Sequence, residues 1–227
     1  MNTFIVATVI IVYALFLSRF AWHSLLWLRA SAQPSYSAAF RKAPAFVYIA
    51  SAIDILFFRR IFISGKMLWI GSWLFHLSLV LVGIRHLRFL CRSLPSCLIL
   101  LQPTGVFAGY VLACSVFYLI ILRSVRRKNR YASAYNYFIL CMLLLISIIG
   151  LVMRNFFIPD LVEVKYFMLG VFGLQPQPLP DSLLFILHFS LFLVLLPYLP
   201  VHILAAPLVN LEANRRREEL RFIIHDK

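Results

Sequence analysis

Hydropathy along this chain rises and falls in long blocks. Five stretches of mainly apolar residues are each about 20 residues long, the length of helix that crosses a bilayer core. They run from about Thr3 to Trp22, Met67 to Leu90, Thr104 to Leu122, Tyr135 to Met153 and Asp181 to His202. The third starts after the breaker Gln102-Pro103, and the fifth after the proline-rich run Gln175–Pro180. The pattern predicts an all-α membrane protein of five transmembrane helices. Residues 1–210 make one membrane domain and residues 211–227 a basic tail. The opening stretch has no basic n-region and no small-residue cleavage site, so it is read as a retained span and not as a signal peptide. A further apolar stretch, 43–62, is interrupted by Asp54, Arg59 and Arg60. It is expected to be an interfacial or re-entrant helix, because a sixth crossing would invert everything downstream.

Composition sharpens this picture. The chain has 227 residues, of which 63% are hydrophobic and only 13% charged. A soluble domain is nearer half apolar and a quarter charged. The net charge of +14 sits in the loops, which suits topology and anionic headgroups better than a nucleic-acid-binding face. One set of loops holds Arg29, Arg41, Lys42, Arg59, Arg60 and Lys66, then Arg123, Arg126, Arg127, Lys128 and Arg130. The tail adds Arg215, Arg216, Arg217, Arg221 and Lys227. The other two loops have only Arg88 with Arg92, and Arg154 with Lys165. The positive-inside rule then puts the N-terminus outside and the C-terminus in the cytoplasm of a multi-pass inner-membrane protein. There is no GxGxxG, P-loop or CxxC run. Cys114 and Cys141 lie within spans and read as packing residues, whereas Cys91 and Cys97 flank an outer loop and are candidates for a disulfide.

The candidate chemistry lies in four histidines. An ionisable ring inside lipid is expensive and signals a task. His76 and His86 share the second span, and His188 and His202 the fifth. On a helix the first two are about 15 Å apart and about 80° round, the second two about 21 Å apart and nearly on one face. The two spans run antiparallel. Topology therefore matches His86 with His188 near the outer face and His76 with His202 nearer the cytoplasm, with a mismatch of about 6 Å for tilt or a bend at Pro197 and Pro200 to absorb. Zinc favours four ligands, often with thiolate or carboxylate among them. Here each depth offers two imidazoles. That donor set suits a six-coordinate haem, whose porphyrin supplies four nitrogens and which moves electrons without binding oxygen. The reading is two haem b groups stacked across the membrane. The 21 Phe can pack on a flat macrocycle, and Gly71, Gly83, Gly105 and Gly109 would let it approach a helix. His23 and His225 lie outside this pattern, as a span-end contact and a tail residue.

Phe75-His76, His86, and Leu187-His188 followed by Pro197-Tyr-Leu-Pro-Val-His202 together resemble the gamma-subunit family of respiratory nitrate reductase, five-span dihaem cytochromes b. The run from Asp54 to Arg59-Arg60, then Lys66-x-x-Trp69 and Arg85-His86-Leu-Arg88-Phe89, is more specific. It resembles the branch found in membrane complexes of sulfate- and sulfur-metabolising microbes and in haem-containing heterodisulfide reductases. The chain departs from the nitrate reductase subunits in its shorter gap between the late histidines. The resemblance implies the same histidine pairing, a quinone or menaquinone substrate beside the outer haem, and a cytoplasmic iron–sulfur partner of the heterodisulfide-reductase type. Near His86, Arg85, Arg88 and Arg92 would meet haem propionates, lipid phosphate or a quinone oxygen. Asp160 and Glu163 would relay protons or simply be solvated, and Arg59, Arg60 and Lys66 would serve the inner haem. The competing reading is a haem-free membrane anchor or assembly subunit whose histidines make interhelical contacts. A transporter ranks last, because paired discontinuous helices are absent.

Overall fold

The computed structural model describes residues 2–31, 45–125, 134–173, 175 and 177–225. The loop charges at Arg41, Lys42, Arg126, Arg127, Lys128, Arg130 and Lys227 lie outside these residues, as do the side chains of Cys97 and His225. The described chain forms helices α1 (Asn2–Ser31), α2 (Ala45–Leu56), α3 (Arg59–Ser64), α4 (Lys66–Leu90), α5 (Ser96–Leu100), α6 (Gln102–Val125), α7 (Ala134–Asn155), α8 (Leu161–Phe172), α9 (Leu183–Leu195) and α10 (Leu199–His225). No strand occurs among the described residues. Five helical stretches are long and apolar enough to cross a membrane: Phe4–Arg29, Lys66–Leu90, Gln102–Val125, Ala134–Asn155 and Leu183–Glu218. Five is the number the hydropathy blocks predict. Within lipid, stray polar groups must find partners inside the chain. The hydroxyls of Ser78, Ser115 and Ser147 do so by bonding to carbonyls three or four residues back.

The chain divides into two compact units, Met1–Tyr13 with Met67–Leu196, and Ala14–Lys66 with Pro197–Lys227. In the first unit, Phe75, Leu112, Val116, Leu119 and Leu140 join α4, α6 and α7 in one core. Glycine makes the α4–α6 approach close. A Cβ on Gly105 would stand 2.7 Å from Arg85 Cβ, and one on Gly71 would stand 2.8 Å from the Tyr118 ring. This corrects the sequence expectation for these glycines, because Gly71 and Gly105 are occupied by helix packing. Only Gly83 among the four has nothing within 4 Å of its Cβ position.

A second core joins Val9, Val164, Phe167, Val171, Phe185 and Leu193 from α1, α8 and α9. The hydropathy blocks treat the α8 region as loop. The helix is started by Asp160, whose Oδ1 accepts from the amides of Val162 (2.7 Å) and Glu163 (3.3 Å). Its 12 residues span about 18 Å, short of a crossing. Asp160 is therefore the cap of this helix. Asp160→Ala is expected to cost about 1 kcal/mol of α8 stability. Hydrogen exchange at Val162 and Glu163 should speed up; unchanged protection there would contradict the capping role.

In the second unit, the stretch expected as one interfacial helix is two, α2 and α3, broken where Phe58 takes a left-handed conformation (φ 50). At 12 residues, α2 is too short to cross. Its inner face carries Ser51 and Asp54, and α10 meets it with Asn214; all three are buried. Asn214 Nδ2 donates to Ser51 Oγ (3.0 Å) and Asp54 Oδ2 (3.1 Å). Asn214 Oδ1 accepts from Arg60 Nη2 (3.3 Å) and Arg217 Nη2 (2.9 Å). Arg59 pairs with Asp54 at 3.8 Å. Arg59 and Arg60, expected at haem propionates, are thus engaged within this unit, Arg59 tying α3 to α2 and Arg60 tying α3 to α10.

Candidate functional site

A helix presents side chains at about 100° steps, so α4 carries its two histidines on neighbouring faces. Each ring is steered by the same local contact. His76 Nδ1 lies 2.7 Å from the Ser72 carbonyl, and His86 Nδ1 lies 2.7 Å from the Val82 carbonyl, four residues back in both cases. A carbonyl can only accept, so Nδ1 carries the proton and donates. That leaves each Nε2 with its lone pair, the tautomer that a metal-binding imidazole needs.

His188 stands on α9, one residue from Phe189 and three from Phe185. These two rings stack at 6.0 Å, and Phe167 of α8 meets both edge-on at 5.8 and 5.6 Å. The aromatic wedge fixes the α9 face beside the histidine. On its other side α7 comes close at Gly150, where a Cβ would lie 3.1 Å from His188 Cε1. His188 Nδ1 is buried without a hydrogen-bond partner.

The structure brings His86 and His188 together. Their ring centroids are 6.3 Å apart and their planes differ by 10°. The sequence-predicted outer pair therefore meets within the first unit. His76 belongs to that unit as well, whereas His202 belongs to the second and is exposed there. Arg85 and Arg88 are half-buried near the end of α4. Arg85 lies against α6, with its Nη1 donating to the Gln102 carbonyl at 2.8 Å. Arg88 lies over the Phe89 ring at 4.4 Å. Lys165 Nζ of α8 donates to the Arg92 carbonyl at 3.0 Å. Glu163 is exposed in the first turn of α8. Among the described residues, no three His, Cys, Asp or Glu side chains converge as a metal site. Sequence reasoning missed Gly150, Phe167 and the aromatic wedge. A glycine inside an apolar helix was the available signal for the first.

Two curated archaeal proteins match this chain. One, from Archaeoglobus profundus, is 30% identical over 155 residues, which is 61% of this chain and 46% of the relative. The other, from Archaeoglobus fulgidus, is 31% identical over 153 residues, 60% of this chain and 46% of the relative. Both are named Hdr-like menaquinol oxidoreductase cytochrome b-like subunit. This chain resembles cytochrome b-like subunits. The resemblance read from the sequence to heterodisulfide-reductase-type complexes is borne out by these relatives. The matched region is a little under half the length of either. No family model matches, and no solved structure matches. The five apolar helices describe a multi-pass membrane protein.

Proposed function

We propose that this chain is the dihaem cytochrome b subunit of a respiratory complex in the cytoplasmic membrane. It passes electrons between the quinone pool, menaquinone by analogy with its relatives, and a cytoplasmic iron–sulfur subunit of the heterodisulfide-reductase type. The N-terminus is outside, and the C-terminus is in the cytoplasm. The pairing of His86 with His188 carries this reading. His86 and His188, with ring centroids 6.3 Å apart and planes within 10°, would hold the haem between them. A pair of imidazoles is also the donor set that suits a haem, whose porphyrin supplies the other four nitrogens. An interhelical-contact role fits less well, because the ring hydrogen bond of His86 stays within its own helix.

Bound between two imidazoles, a haem b supplies one-electron transfer and offers no open coordination position. The protein's own groups set its terms. The Val82 carbonyl holds His86 in one tautomer and makes Nε2 more basic. The wedge of Phe167, Phe185 and Phe189 fixes the rotation of α9 and so the direction of His188. Arg85 and Arg88 provide positive charge for the propionates at the outer end of α4. His76 and His202 take the second haem, an assignment that rests on spacing along the sequence alone. A quinol site beside the outer haem puts proton release on the outer side.

A reduced-minus-oxidised visible spectrum of the purified protein tests the reading. A b-type α-band with two haems per chain, reducible by menaquinol, is the expected result. A haem content near zero would leave the membrane-anchor reading standing.

A further inference from the structure

A third arginine belongs with Arg85 and Arg88. Arg154 lies in the last turn of α7, as Arg88 does in the last turn of α4. Its placement follows from Gly150, the point where α7 touches the His188 ring. Residues four apart share a helix face, one turn along the axis. Arg154 therefore stands on the histidine-facing side of α7, about 6 Å nearer its C-terminal end. Its charge reaches both Arg85 and Arg88, whose charges in turn reach His86.

Three like charges around one site repel unless something anionic lies among them. None of the described ion pairs involves any of the three. Several carboxylates have other work, and Glu163 and Asp181 are exposed. Asp160 caps α8, while Asp54, Glu212 and Glu218 pair with arginines of the second unit. Arg88 Nε is also buried without a hydrogen-bond partner. This constellation has surplus positive charge and surplus donors, set on the two helices that flank the histidine pair.

We infer that Arg154 completes, with Arg85 and Arg88, a three-cation cradle for the two carboxylates of the haem held by His86 and His188. This rests on the haem reading above. The carboxylate chemistry is favoured over a lipid phosphate because the contact that positions α7 is with a ligand ring. Arg85 donates to the Gln102 carbonyl of α6 and Arg88 lies over the Phe89 ring, and Arg154 adds a cation from a different helix, α7. A guanidinium beside a propionate has a second effect. Nearby positive charge stabilises the added electron of the reduced state, so the cradle raises the midpoint potential of that haem.

Redox titration of the purified full-length protein with Arg154→Gln and Arg154→Lys tests the assignment. The haem concerned is identified as the one missing from His188→Ala. Its midpoint potential should move to more negative values in Arg154→Gln and return most of the way in Arg154→Lys. The other haem and both α-bands should stay in place. Loss of that one haem in the Gln variant with retention in the Lys variant reads the same need for charge. An unchanged potential in Arg154→Gln overturns the inference, and so does equal loss in both variants, which would mark a packing role. A change in co-purified anionic phospholipid at unchanged potential overturns it too, by giving the arginines to a headgroup. A wild-type protein without haem defeats the proposed function itself, before either variant is made.

Discussion

His86→Ala and His188→Ala are each expected to remove one and the same haem of the proposed pair, so that the haem content per chain should fall by half. The two rings come from different helices and meet across 6.3 Å, so either substitution removes one of the two imidazoles that would hold the group. Removing even a hydrogen-bond partner of a metal ligand typically costs 10–100-fold in affinity, and removing the ligand itself costs more. Loss should therefore be complete at the concentrations of a membrane preparation. Spacing along the sequence groups His76→Ala with His202→Ala for the second haem. Pyridine haemochrome content and redox titration of each variant decide the pairing. If the losses instead group His76 with His86, the antiparallel matching of α4 with the fifth span is wrong. The two α4 histidines have identical carbonyl contacts, at Ser72 and Val82, so a difference between their variants reports on the partner ring and not on local helix strain.

The membrane makes some of this architecture legible and hides the rest. Spans are readable because lipid imposes a length and forbids unpaired backbone. The histidine pair is readable because a ring in lipid is rare and helix rise turns sequence number into depth. What escapes is rotation. Arg85 and His86 are adjacent in sequence yet lie about 100° apart on the helix, which is how one meets α6 and the other faces α9. Helix α8 had a local signal in Asp160 with Glu163 three residues on, followed by Val164, Phe167 and Val171 on one face. A reading by hydropathy length and charge alone passes over it. The break at Phe58 had no signal, since a left-handed residue there is neither glycine nor asparagine. Asp54 and Asn214 stand 160 residues apart, and no local pattern links them.

That last pair carries the largest stability effect expected away from the histidines. Asn214→Ala should detach the C-terminal helix α10 from α2 at a cost of about 3 kcal/mol. The side chain serves four partners at once, donating to Ser51 and Asp54 and accepting from Arg60 and Arg217. Truncation leaves a buried hydroxyl and a buried carboxylate short of donors, and each unsatisfied group costs about 1–3 kcal/mol. Asp54 retains only the long contact to Arg59, itself largely exposed, which cannot compensate a buried charge. The contrast is with Arg221, whose 3.2 Å pair to Glu218 is a single contact made by a side chain 66% exposed. Arg221→Ala should cost under about 1 kcal/mol. Limited proteolysis of the C-terminal segment and thermal unfolding in detergent both read the difference. Equal protection of the tail in the two variants would mean that the charges of α10 hold it to α2, and that Asn214 does not.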